Sequence, residues 1–138
     1  YEVPIGEAVV RKQGTDLTIV AFGRMVHEAL DAAEQLKDVG LNVEVIDARS
    51  VQPFDTATVV ASIKKTHRAL IVHEAVKFGG IGAEITAQIQ EEAFDYLDAP
   101  IMRVAAPFSP VPFSPALEKL YIPNAAGIVA KVKETLDL

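Results

Sequence analysis

Two near-continuous apolar runs constrain this chain more than any other feature: Leu17-Thr18-Ile19-Val20-Ala21-Phe22 and Ala69-Leu70-Ile71-Val72. A strand with one face in water alternates polar and apolar residues. An unbroken apolar run marks a strand covered on both faces. Each run is followed by glycine and then by helical spacing. After Gly23, the residues Val26, Ala29, Leu30, Ala33 and Leu36 recur on one helix face, and Gly40 stops that helix as a C-terminal cap. The second run ends on His73-Glu74, passes Gly79, Gly80 and Gly82, and leads into Ile81, Ile85 and Ile89. That spacing predicts a helix from about Gly82 to Phe94, closed by Asp98-Ala99-Pro100.

The rest of the chain repeats the alternation. Asn42 to Ile46 predicts a strand, and Asp47 to Phe54 a loop whose end Pro53 marks. Asp55 is an N-cap for a helix burying Val59, Val60 and Ile63. Ile101 to Ala105 predicts another strand, and Ala125, Ile128, Val129, Val132 and Leu136 a closing amphipathic helix. Strands alternating with helices build βαβ units, so the fold class is α/β with a parallel sheet covered on both faces. Glu7 to Lys12 is a short first strand. Its Gly14-Thr15-Asp16 turn suits a local antiparallel hairpin with the second strand.

Charge and composition narrow the function classes. At 138 residues the chain is one domain with room for a real core. Its net charge of −6 argues against nucleic-acid binding, which needs clustered Lys and Arg. The basic cluster Lys64-Lys65 with His67-Arg68 reads as a solvated helix end. No apolar run approaches the roughly 20 residues of a membrane span. The absence of cysteine excludes disulfides, thiolate metal sites and thiol catalysis. The start at Tyr1, without a charged and apolar leader, suggests a fragment or a processed product.

In open α/β sheets ligands gather at the carboxyl ends of the strands, where His73, Glu74 and the glycines fall. Gly80-Ile81-Gly82-Ala83-Glu84-Ile85 approaches a dinucleotide fingerprint but carries Ile85 where the third glycine is needed. A helix N-terminus there still offers N–H groups to a carboxylate or phosphate. A stand-alone flavodoxin-like module binding a small molecule or anion is therefore a second reading. His73 and Glu74 are the best acid/base pair, but neighbours on a strand point to opposite faces unless the strand has ended. No nucleophile elbow, Walker pattern or metal-ligand spacing accompanies them. A hydrogen-bonded structural or interface role is the better reading of the pair. His27 and Asp31 share a helix face as a surface ion pair, and Asp47 with Arg49 reads as a loop ion pair. Pro107 to Pro115 holds four prolines and two phenylalanines, Phe108 and Phe113. Such a stiff loop loses little entropy on docking, so it is either an interface or a cover over its own core.

Four segments in series carry a resemblance: IGEAVVRKQGTDLTIVAFGRMVHEALDAAEQL (5–36), VEVIDARSVQPFD (43–55), IVHEAVKFGGIGAEITAQIQEEAFDYLDAPIMRV (71–104) and PVPFSPALEKLYIPN (110–124). Together they resemble the C-terminal, transketolase C-terminal-like domain of the β subunit of thiamine diphosphate-dependent 2-oxo acid dehydrogenases. The pyruvate, branched-chain and acetoin complexes contain such subunits. The resemblance implies a three-layer α/β/α sandwich on a five-stranded mixed sheet with an antiparallel edge strand, against the local hairpin. It implies a domain that binds no cofactor itself. Thiamine diphosphate and magnesium belong to the full enzyme, held by the α subunit and an N-terminal domain that these segments lack. The partners it implies are the α subunit, a second β subunit and the peripheral subunit-binding domain of the lipoyl acyltransferase. The expected role is non-catalytic assembly and docking, with His73, Glu74, Gly79, Gly80, Phe108, Phe113 and Leu138 as candidate interface residues and no catalytic residue. The compartment would be the cytoplasm in a bacterium or the mitochondrial matrix in a eukaryote. A related alternative is the swivel domain of 2-oxo acid:ferredoxin oxidoreductases, which fits the 71–104 segment less well.

Overall fold

The fold was read from a computed structural model that describes Tyr1–Leu138. Five strands form one sheet: β1 (Val9–Lys12), β2 (Leu17–Ala21), β3 (Val43–Asp47), β4 (Ala69–Val76) and β5 (Met102–Ala106). Their spatial order is β1-β3-β2-β4-β5. The helices are α1 (Met25–Lys37), α2 (Thr56–Thr66), α3 (Ile81–Ala93), α4 (Pro115–Tyr121) and α5 (Ala125–Thr135), with a 3-10 turn at Phe94–Tyr96 after α3. No helix is long and apolar enough to cross a membrane.

The four later strands run parallel, as their apolar runs predict. Side chains alternate across the sheet and so feed two cores. Leu17, Ile19, Val43, Val45, Leu70 and Val72 meet α1 and α5 on one face. Val20, Ile46, Ala69 and Ile71 meet α2 and α3 on the other. The result is an α/β/α sandwich.

The first strand departs from the local hairpin. β1 is shorter than Glu7–Lys12 and pairs antiparallel with β3, not with β2. The 13–16 turn does not fold back beside its own neighbour. Instead the amides of Thr15 and Asp16 donate to the Asn42 carbonyl, which seats the turn at the start of β3. The antiparallel edge strand of the family pattern is the arrangement found.

Candidate functional site

β2, β3, β4 and β5 all end at one edge of the sheet, but β4 overshoots. β2 stops at Ala21, opposite Val72, whereas β4 continues to Val76 through an irregularity in its pairing with β5. His73 and Glu74 therefore do not lie beyond the strand's end. They are strand residues on opposite faces: His73 is 3% exposed, beneath α3, and Glu74 is exposed. They cannot share a ligand as an acid/base pair.

His73 is instead a wedge that shapes the turn ahead of α3. Its Nδ1 lies 3.1 Å from the Ala75 carbonyl, and its Nε2 lies 3.2 Å from the Gly82 amide. A carbonyl only accepts and an amide N–H only donates, so the ring is neutral with its proton on Nδ1. Gly82 is the second residue of α3, too early to bond within the helix. The imidazole thus caps α3 where Gly80, at the N-cap position, has no side chain to do so. The glycines make room for the ring. A Cβ on Gly80 would come 2.9 Å from His73 Cε1, and one on Gly82 would come 2.7 Å from Nε2. Gly79 adopts a φ of 70°, which lets the chain turn sharply out of β4. Burial pushes the His73 pKa below its ordinary 6.5 and the nearby Arg103 charge pushes the same way, against the bond to Ala75.

This packing closes the place where an anion would sit. The Gly82 N–H that a phosphate would use is taken by His73, and the space in front of the glycines is filled by its ring. No three His, Cys, Asp or Glu side chains are grouped to hold a metal ion.

What the edge offers outward is apolar. Phe78 leaves the turn and packs on Phe108, ring centres 5.1 Å apart, yet both stay about three-quarters exposed, at 73% and 75%. Phe113 is fully exposed at 103%. The Pro107–Pro112 stretch and Leu117, Leu120 and Tyr121 of α4 line a shallow groove of about 280 Å³. The proline-rich loop therefore does not cover its own core with its phenylalanines. Helix α4 was not expected from sequence, although Pro115 is a favourable first-turn residue. Lys77 fastens this edge: its N–H donates to the Ala106 carbonyl, and its own carbonyl accepts from the Gly80 amide and from Arg103 Nη1 at 2.8 Å. Leu138, at the far end of the chain, is exposed.

Three charge readings need correction. His27 and Asp31 make no ion pair, because both side chains are exposed and neither finds the other. Asp47 pairs with Arg11 of β1 at 3.6 Å, and Arg49 gives it only its backbone N–H. Lys65 is not merely solvated: its ammonium lies 2.5 Å from Glu44, a buried carboxylate only 2% exposed.

Glu44 and its partners went unnoticed in the sequence. Glu44 accepts from Lys65, from Ser62 at 2.5 Å and from the Gly14 amide at 3.1 Å. Ser62 continues to Thr18, and Thr18 to Thr66, each at 2.6 Å. The available signal was polar residues breaking apolar runs: Thr18 in β2, Glu44 in β3, and Ser62 and Thr66 four apart on α2. This network faces α2 near the amino ends of the strands, remote from the exposed aromatic edge. Burial pushes the Glu44 carboxyl up, but hydrogen bonds from Lys65, Ser62 and Gly14 outweigh it and hold the pKa below the ordinary 4.5.

Comparison with known proteins adds the family context. Residues 6–128 match the family described as "Transketolase, C-terminal domain". The chain is 47% identical over 137 residues to "Pyruvate dehydrogenase E1 component subunit beta" of Staphylococcus aureus, covering 99% of this chain and 42% of that protein. The protein of that name from Staphylococcus epidermidis gives the same identity and coverage. The chain thus spans less than half the length of these curated relatives. Among solved structures, "Split gene transketolase, inactive beta4 tetramer" superposes with a TM-score of 0.79 at 34% identity, over 96% of this chain and 42% of that one. A 2-oxoglutarate:ferredoxin oxidoreductase from Magnetococcus marinus superposes with a TM-score of 0.55 at 16% identity, over 94% of this chain and 19% of that one, a likeness of fold alone.

Proposed function

The chain belongs to the transketolase C-terminal domain family, and from that premise we propose that it is the assembly domain of a 2-oxo acid dehydrogenase β subunit. The observation that carries the reading is the exposed Phe78–Phe108 pair, with Phe113 exposed further along the same loop, beside a turn packed by the His73 ring. Isolated apolar residues on a surface need no explanation, but a stiff loop that stacks and presents aromatic rings marks an interaction site. The likeness to pyruvate dehydrogenase β subunits supplies the class of complex.

In this reading the full enzyme decarboxylates a 2-oxo acid and reductively acylates lipoyl groups. Thiamine diphosphate and magnesium are bound by other parts of that enzyme. This domain contacts the α subunit and a second β subunit, and it docks the peripheral subunit-binding domain of the acyltransferase. We assign Gly79, Gly80, Glu74, Phe108 and Phe113 to one interface, with His73 shaping the turn beneath it. Leu138 belongs to a separate docking point. The bacterial relatives make the cytoplasm the compartment we infer.

Sedimentation velocity on the 138-residue chain and on Phe108→Asp and Phe113→Asp variants tests the reading. The wild type is expected to self-associate and both variants to do so at least tenfold more weakly, about 1.4 kcal/mol. Equal association by all three would remove the aromatic edge from that interface. The chain is also expected to be inert toward 2-oxo acids with added thiamine diphosphate and magnesium, and turnover would refute the assembly role.

A further inference from the structure

His73 is kept neutral by the groups around it, and the turn it fastens is the one that carries Phe78. We propose that His73 is a proton-operated latch: when neutral it ties the Lys77–Gly80 turn and the start of α3 to β4, and when protonated it releases them, and the Phe78–Phe108 pair with them. The proposal rests on the assembly reading of that pair and adds a regulation to it.

The geometry makes the latched state and the charged ring mutually exclusive. Nε2 must accept from the Gly82 N–H, and a protonated ring would set N–H against N–H at 3.2 Å. The ring also sits at the positive end of the α3 dipole, which disfavours a second positive charge. The charged groups on the elements around it do not relieve this. Arg103 of β5 is the charge that bears on the ring, and its Cδ borders Gly82, which the ring also touches. Lys77 in the turn is a second cation. Glu74 leaves β4 by the opposite face, and Glu84 in the first turn of α3 is exposed. Asp55, at the start of α2, is engaged by Ala8 and Thr58. No carboxylate is in place to stabilise an imidazolium.

The ring has no slack in which to turn away. Gly80 and Gly82 flank it closely enough that a methyl group would not fit, so releasing Nε2 means moving the turn. The turn is otherwise held through Lys77, whose contacts to Ala106 and Arg103 lie on β5. With Lys77 still tied to β5, opening the latch pivots the turn about Lys77 and swings the adjacent Phe78 against Phe108, two residues beyond the end of β5.

Hydrogen exchange of the Gly82 amide tests the latch, because His73 is that amide's partner. Once the ring is free its pKa returns to about 6.5, so below that pH the opening constant rises about tenfold per pH unit. Intrinsic exchange slows by about the same factor per unit, and opening multiplies it. The wild-type Gly82 rate is therefore expected to level off below pH about 6.5, while the amides of Ile85 and Ile89 keep slowing. In His73→Gln, whose amide oxygen accepts from Gly82 without titrating, Gly82 should slow like its neighbours. A wild-type Gly82 rate that follows Ile85 and Ile89 across this range overturns the latch, even if the variant does not fold. Contacts between the Phe78 and Phe108 rings, followed by nuclear Overhauser effects, should weaken over the same range, and their persistence overturns the link to the surface. Both measurements are made on the unassociated chain, so they stand apart from the sedimentation result that decides the assembly reading.

Discussion

Three hydroxyl protons serve four contacts around Glu44. Ser62 must donate to the carboxylate, so Thr18 donates to Ser62. The Thr66 proton then goes to Thr18 at 2.6 Å in preference to the Arg68 carbonyl at 3.2 Å. Every proton points toward the charge. A glutamine amide at position 44 would reverse the chain, with Thr66 turning to Arg68. Glu44→Gln is therefore expected to lose only about 1–2 kcal/mol at neutral pH, whereas Glu44→Leu strands Ser62 and the Gly14 amide and loses about 3 kcal/mol or more. The pH dependence follows from the lowered pKa. The unfolded chain takes up the proton first, so this stability is complete above pH 4.5 and is lost as pH falls below it. Urea unfolding at a series of pH values should show a flatter acid limb for Glu44→Gln; an unchanged limb would rule Glu44 out as its source. The polar breaks in the apolar runs were visible in the sequence, but the burial of Glu44 was not, because a lone glutamate between Val43 and Val45 looks like an exposed position on a half-covered strand. Its burial depends on Ser62, Thr66 and Lys65 arriving from a helix far along the chain.

Asp55 does at the level of the element what Glu44 does at the level of the residue. One carboxylate oxygen accepts from the Thr58 amide and caps α2, and the other accepts from the Ala8 amide at 2.9 Å, just ahead of β1. The start of a helix and the approach to an edge strand thus share one group. Asp55→Ala is expected to destabilise the chain by about 2–3 kcal/mol. Amide exchange across Val9–Lys12 should accelerate along with that of α2. If only α2 loosens, Ala8 does not depend on Asp55. The cap was readable because Asp followed by a helical pattern is a local signal. Strands β2, β3 and β5 and helices α1 and α5 were readable for the same reason. The partner of β1 was not, since pairing is decided by which edge stays open after β2, β3 and β4 have assembled. The length of β4 was hidden too. His73-Glu74 looks like a strand end by polarity, but α3 covers His73 and lets the strand run on to Val76. The aromatic edge was legible as composition, in prolines and phenylalanines, but the Phe78–Phe108 contact joins two loops that only the sheet brings together.

The molecule has two cores separated by one sheet. Ile128 of α5 lies wholly within the first and Ile89 of α3 wholly within the second. Because both cores are built on the same strands, neither is expected to melt alone. Ile128→Ala and Ile89→Ala should each lower stability by about 2–5 kcal/mol while unfolding in a single transition. Two resolved transitions in either variant would mean that the faces are independent. The contact between α1 and α5 also bears on how the protein is made. The Ala125 amide donates to Glu28 at 2.9 Å, and Ile128 and Val132 complete the core that Val26, Ala29 and Ala33 began. During synthesis α1 leaves the ribosome before α5 and must wait, its apolar stripe uncovered, until Val132 has followed. Over that interval one side of the nascent sheet stays open to non-native apolar contacts.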